Sequence, residues 1–219
     1  MKKQAIILGI NGDIGREVAL RLLKDGWQVS GTFRNSVGYW HTADDTEPQV
    51  QLVHCDLESQ PSVNTAAELL AKPWDLFLCA AGTMEPIGRF EHVSPIGLEW
   101  SVKVNALGPL RMLRALLPHR RLGARACFLD GPNLAHPTPS YSAYRAGKAI
   151  LAALIPTLRA ELPDMQFELL HTGVVRTKFH MQTIQAGARA ANYDRVVGIL
   201  EGKEPTTGHD AIYRMVVNG

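Results

Sequence analysis

Short apolar runs alternate with amphipathic segments along the whole 219-residue chain. Runs of four to six apolar or β-branched residues bounded by turn formers read as strands; longer stretches with apolar residues three and four apart read as helices. Strands are predicted at Ala5–Leu8, Gln28–Thr32, Val50–His54, Leu76–Cys79, Ala126–Leu129 and Phe167–Leu170, with a short closing strand at Ile212–Val217. Helices are predicted near Ile14–Lys24, Val63–Leu70, Ile96–Leu117, Ala143–Leu162 and Asn192–Glu201. Ser94-Pro95 places a capping hydroxyl before a proline at the first helical position, and Ser59 to Pro61 opens another helix similarly. Strict strand–helix alternation points to β-α-β units, so the expected fold is α/β: a doubly wound parallel sheet flanked by helices on both faces. No repeat or linker divides the chain, and one domain over residues 1–219 is expected. Asn35–Pro48 and His171–Gly187 read as irregular, and loops beyond strand carboxyl ends are where such sheets bind ligands.

Composition narrows the partners. A hydrophobic fraction of 46% with 20% charged residues is ordinary for a globular protein, and a net charge of +2 gives no reason to expect a nucleic-acid or membrane partner. The basic residues between Arg111 and Arg125 read as a solvated helix end. The three cysteines are widely spaced in apolar runs, which suggests reduced, buried thiols. The eight histidines show no ligand-like spacing, so no metal is expected. Met1-Lys2-Lys3-Gln4 leads straight into an apolar run too short for a signal peptide, and no stretch approaches the roughly 20 apolar residues of a membrane span. A cytoplasmic location is the expectation.

Candidate chemistry begins directly after the first strand. Gly9-Ile10-Asn11-Gly12-Asp13-Ile14-Gly15 leads into a helix, so strand, glycine turn and helix follow one another. Gly9 can make the tight turn, Gly12 can let backbone approach a pyrophosphate, and Gly15 can let helix and strand pack closely. The helix N-terminus then offers free N–H groups to phosphate. The spacing is G-x-x-G-x-x-G rather than G-x-G-x-x-G, and a turn that is merely glycine-rich stays open. Arg34 ends the second strand where an acidic residue would favour the ribose of NAD; an arginine suits the 2′-phosphate of NADP. An ordinary surface arginine is the competing reading.

Farther on, Tyr144 and Lys148 stand four residues apart at the start of an amphipathic helix, on one face. A nearby ammonium favours the phenolate of a tyrosine and fits it for proton transfer. None of the other tyrosines has a lysine four residues on.

Six motifs in order resemble those of the short-chain dehydrogenase/reductase family, over nearly the whole chain: Gly9–Gly15; Asp56 in His54-Cys55-Asp56-Leu57; Cys79-Ala80-Ala81-Gly82; Val104-Asn105-Ala106-Leu107-Gly108; Tyr144-x-x-x-Lys148; and Thr172-Gly173-Val174-Val175-Arg176-Thr177. The wording around Tyr144 and Asn105 is most similar to the C-factor-like branch of small, NADP-preferring members. The resemblance implies a Rossmann fold that binds NADP through the glycine turn (Gly9, Asn11, Gly12, Asp13, Ile14, Gly15) and Arg34. It adds Asp56 and Leu57; Ala80, Ala81 and Gly82; and Gly173, Val174, Val175 and Thr177. It implies that Tyr144 is the general acid, that Lys148 bonds the nicotinamide ribose and tunes the phenol, and that Asn105 holds a water in a proton relay. Gly108-Pro109 should loosen the helix near Asn105. A homodimer or homotetramer through the helices at Ile96–Leu117 and Ala143–Leu162 is implied, and residues 178–205 become a short substrate lid.

The chain also departs from the pattern. Gly131 stands where the family places its catalytic serine, and a shift of one offers Asp130 instead. Leu8 and Cys79-Ala80 replace a threonine and two asparagines, and the loss of both partners together leaves no unsatisfied buried group. Asp13 is unfavourable beside a pyrophosphate unless it turns outward or caps the helix. The leading expectation is an NADP-dependent oxidoreductase acting on a carbonyl or alcohol of a small molecule. Two alternatives remain: a non-catalytic NADP-binding regulator or partner subunit, and a dehydratase, epimerase or isomerase on the same site.

Overall fold

β1 (Gln4–Leu8) is buried at every position, which requires a strand covered on both faces. The computed structural model describes residues 2–38, 40, 50–131 and 136–218; much of the polar stretch Asn35–Pro48 therefore lies outside the described residues. β1 is joined by β2 (Gln28–Phe33), β3 (Gln51–His54), β4 (Trp74–Cys79), β5 (Arg120–Leu129) and β6 (Gln166–Leu170). All neighbours pair in parallel, in the order β3-β2-β1-β4-β5-β6. The order reverses between β1 and β4, so a crevice opens there at the carboxyl ends of the strands.

Alternate residues of β1 feed two cores. Ile6 and Leu8 pack with Phe77, Phe128, Leu116 and Ile155, while Ala5 and Ile7 pack with Val18, Leu22, Ile212 and Val216. The first layer holds α2 (Gln60–Leu69), α4 (Gly108–Leu116) and α5 (Ser142–Glu161); the second holds α1 (Asp13–Lys24) and α8 (His209–Asn218). Leu8 and Cys79 are register partners across β1 and β4 and are both buried, an apolar pair that asks for no hydrogen bond. Ser94 caps α3 (Pro95–Val102) through the Gly97 N–H at 3.1 Å.

Three expectations need correction. The predicted closing strand at Ile212–Val217 is helical, within α8. Its apolar residues look β-like in a row, but the fully buried pair Ile212 and Val216 stands four apart and faces α1. The predicted helix Ile96–Leu117 is not uniform. α3 passes through a π-helical turn at Lys103–Leu107 before α4, with the Gly108 N–H reaching back five residues to Lys103. Finally, the stretch read as irregular contains a 3₁₀ turn at Lys178–His180 and α6 (Met181–Ala186), which leads toward α7 (Tyr193–Leu200). Among the described residues no helix is long and apolar enough to cross a membrane.

Cys55, Cys79 and Cys127 are buried free thiols. Burial is the main influence on each, raising Cys55 to about 12 and Cys79 and Cys127 to about 11. Protonated and shielded, they are poor nucleophiles. The native protein is expected to resist a thiol-directed dye at about pH 8 and to react at all three positions once denatured. Rapid labelling of native protein would contradict this packing.

Candidate functional site

The glycine turn is built by close approach. Gly9 has φ +76°, and a Cβ there would lie 2.8 Å from the Ala81 backbone. A Cβ on Gly15 would lie 2.4 Å from the Gly9 carbonyl oxygen, so only glycine lets α1 start against the end of β1. The Gly12 N–H closes the turn on the Gly9 carbonyl at 2.9 Å. No side chain caps α1, so its first N–H groups face the cleft. Asp13 lies in that first turn, and its carboxylate faces the segment after β6. Oδ2 accepts the Lys178 backbone N–H at 2.6 Å, and the Lys178 ammonium donates to the Asn11 carbonyl at 2.7 Å. The lysine also stands 3.8 Å from Asp13 Oδ1 and offsets its charge.

A cleft of about 1480 Å³ runs from this turn across the carboxyl end of the sheet. Gly9, Gly12, Asp13 and Ile14 line one end, with Arg34 exposed at the end of β2. Asp56 and Leu57 follow β3, and Ala80, Ala81 and Gly82 follow β4. Gly173, Val174, Val175 and Thr177, beyond β6, form another wall. Three of the sequence-predicted residues stand behind this lining. Gly15 packs under the turn, and Asn11 donates its side-chain amide to the Ser36 carbonyl.

Asn105 is the third, and its side chain is a clamp inside the π-helical turn. Its Oδ1 accepts the Thr83 N–H at 3.0 Å, and its amide donates to the Thr83 carbonyl at 2.9 Å and to the Ser101 carbonyl at 2.9 Å. The side chain is therefore committed to holding the post-β4 loop. The helix leaves the Asn105 carbonyl without its usual partner, because Pro109, four residues on, has no N–H. Gly147 lets α5 approach this turn: a Cβ there would lie 2.7 Å from Asn105 Cβ.

Tyr144 and Lys148 occupy the inner face of α5 with Leu151 and Ile155, all buried. The Lys148 ammonium donates to the Leu129 carbonyl at 2.6 Å and lies 5.6 Å from the centre of the Tyr144 ring. Burial lowers the Lys148 pKa, against the opposing effects of Cys79 and Asp130. Burial raises the Tyr144 phenol well above its usual value, and Asp130 raises it further. Gly131 lies directly against the pair, since a Cβ there would be 3.2 Å from the phenol oxygen and 3.0 Å from Lys148 Cγ.

The far end of the cleft is roofed by α6, α7 and their flanks. Gln182 accepts the Met84 N–H at 2.7 Å, and the Tyr141 hydroxyl bonds Thr183 at 2.8 Å and Asn192 at 2.6 Å. Phe179 packs on Tyr144, ring centres 6.2 Å apart. Sequence reasoning did not find the roles of Lys178 or Gln182. Their partners lie far away in the chain, and no local pattern marks them.

The likenesses to known proteins agree with this arrangement. The family model described as "short chain dehydrogenase" matches residues 3–187. The chain is 29% identical over 192 residues to the uncharacterized oxidoreductase YbbO of Escherichia coli K12, covering 82% of this chain and 68% of that one. The crystal structure of the KRED1-Pglu enzyme has the same fold, with a TM-score of 0.88 at 18% identity over 100% of this chain and 96% of that one. BdcA, solved in complex with NADPH, aligns with a TM-score of 0.74 at 19% identity over 88% of this chain and 77% of that one. The matched segment takes in all six strands, α5 and α6, and with them the glycine turn and the Tyr144–Lys148 pair, so this chain belongs to the short-chain dehydrogenases, a family of oxidoreductases.

Proposed function

We propose that this protein is an NADP-dependent oxidoreductase that interconverts a carbonyl and an alcohol on a small molecule. The observation that carries this reading is the burial of Tyr144 and Lys148 together at the floor of a cleft that begins at the glycine turn. The close packing that Gly9 and Gly15 allow brings the start of α1 to the mouth of the cleft, where it suits a pyrophosphate. Lys178 keeps the Asp13 charge from opposing that anion. Arg34, exposed at the end of β2, suits the 2′-phosphate of NADP, and among the described residues it has no carboxylate partner. The bound dinucleotide would supply the hydride, and its placement by Thr177 and the Gly173–Val175 backbone would leave the nicotinamide end toward Tyr144.

Tyr144 then acts as the proton donor to the substrate oxygen. A phenol held neutral by burial keeps its proton until an alkoxide develops beside it. Lys148 stands behind it as the cation that stabilises the resulting phenolate, and the Asn105 carbonyl, deprived of its usual helical donor by Pro109, offers an acceptor for a water that resupplies the proton. Residues 178–205 serve as the lid that excludes bulk water. A cytoplasmic, homo-oligomeric enzyme fits this reading, with α3 to α5 as the contact surface.

Gly131 favours a second reading, because a hydroxyl that would orient the substrate carbonyl is missing there and dinucleotide binding without turnover would follow. Two measurements separate the possibilities. Arg34→Ala is expected to weaken NADPH binding roughly tenfold to a hundredfold with little effect on NADH, read by fluorescence titration. A wild-type preference for NADH would overturn the NADP assignment. Gly131→Ser needs a shift of only a few tenths of an ångström to fit and is expected to raise ketone reduction by about tenfold or more. An absence of turnover in both forms across a panel of small carbonyls, with NADPH bound, would establish the non-catalytic reading instead.

A further inference from the structure

The floor of the cleft carries a charge for which the proposed reaction has no use. Asp130 ends just beyond β5 with its side chain 3% exposed, and it lines the cleft beside Tyr144 and Lys148. Its Oδ1 accepts the Gly131 N–H at 2.7 Å, and its Oδ2 lies 2.5 Å from Nδ1 of His171 at the exposed rim. Both oxygens thus have a polar neighbour, and each keeps a further acceptor site. The Lys148 ammonium is close enough to feel this charge, but its hydrogen bond goes to the Leu129 carbonyl. Among the described residues only His171 stands within ion-pair reach of Asp130.

An anionic wall disfavours an alkoxide developing next to it. Gly131, which lies close against the Tyr144 hydroxyl, offers no side-chain donor to relieve that. A protonated amine on the substrate answers both conditions. One N–H pairs with Asp130, a second donates to the reacting oxygen, and the carboxylate gains a hydrogen-bonded cation from the cleft side.

We propose that the substrate is an α-amino ketone, or the matching amino alcohol, whose ammonium group sits over Gly131 between Asp130 and the reacting oxygen. This rests on the reading of the cleft as an NADP-dependent carbonyl–alcohol site. On reduction the carbonyl carbon gains a hydride, the nicotinamide dinucleotide is oxidised, and the oxygen takes the Tyr144 proton. The ammonium group keeps its protons and its charge throughout. Neutral ketones lack the donor, and anionic keto acids meet Asp130 as a like charge.

Aminoacetone and butanone, near isosteres that differ by a charge, make the test. With NADPH, the wild-type protein is expected to show kcat/KM at least about tenfold higher for aminoacetone. Asp130→Asn keeps the shape and the acceptor for Gly131 but removes the charge. It is expected to bring the ratio close to unity with the melting temperature and NADPH affinity retained. Gly131→Ser is expected to raise turnover of butanone alone, since aminoacetone brings its own donor. The same pair, read as a change in fluorescence of the protein–NADPH complex, reports ligand preference without turnover. Failure to bind either NADPH or NADH overturns the functional reading itself. Dinucleotide binding with equal treatment of the two ketones in both readouts, or a preference that survives Asp130→Asn, overturns the amino ketone assignment and leaves that reading standing.

Discussion

The site exists because two strand ends are allowed to touch. A Cβ on Gly9 would lie 2.8 Å from the Ala81 backbone, so a side chain there would push the β1–α1 turn away from the loop after β4. The parallel sheet reverses its order between these two strands, which leaves a crevice outside their carboxyl ends. Contact at the base of that crevice sets the positions of the α1 N-terminus on one side and of Gly82 and Thr83 on the other. Asn105 then grips Thr83 through both its donor and its acceptor, and α5 rests on Asn105 through Gly147. A chain of close contacts thus runs from the first turn to Tyr144, and glycine makes the approach possible at both ends of it.

What this frame holds in place is a small polar centre in a largely apolar surround. Tyr144, Lys148 and Asp130 come from α5 and the end of β5, and burial acts on the phenol and the ammonium in opposite directions. It keeps the phenol protonated and loosens the hold of the ammonium on its proton, so the proton affinities of the two groups are pushed apart. Fixed hydrogen bonds to Leu129, Gly131 and His171 supply the compensation that buried charge requires. The polar groups therefore cost little reorganisation when charge moves between them.

Much of this was legible in the chain before any coordinates. The strand–turn–helix context of Gly9–Gly15 and the four-residue interval from Tyr144 to Lys148 are local patterns, and local patterns survive in sequence. Six strands were found because buried parallel strands read as continuous apolar runs. The same criterion misled at Ile212–Val217, where a run of apolar residues serves a helix: only the partner, α1, decides between periods of two and nearly four. The break in the long helix was foreshadowed by Gly108-Pro109, although the form of the break as a π-helical turn was not. Invisible altogether were pairings that depend on distance in the chain. Asp13 and Lys178 stand 165 residues apart, and Asp130 and His171 meet only because β5 and β6 end side by side.

The Asp13–Lys178 contact has a further implication for how the chain tolerates change. One of its two bonds is made by a main-chain N–H, which every residue except proline possesses. Position 178 can therefore drift freely among side chains while the segment after β6 stays moored to the first turn of α1. What drift would alter is the ammonium reaching Asn11, and with it the local charge balance around Asp13. Anchorage and charge are thus carried by different atoms of one residue, so the attachment is robust to mutation where the electrostatics remain adjustable.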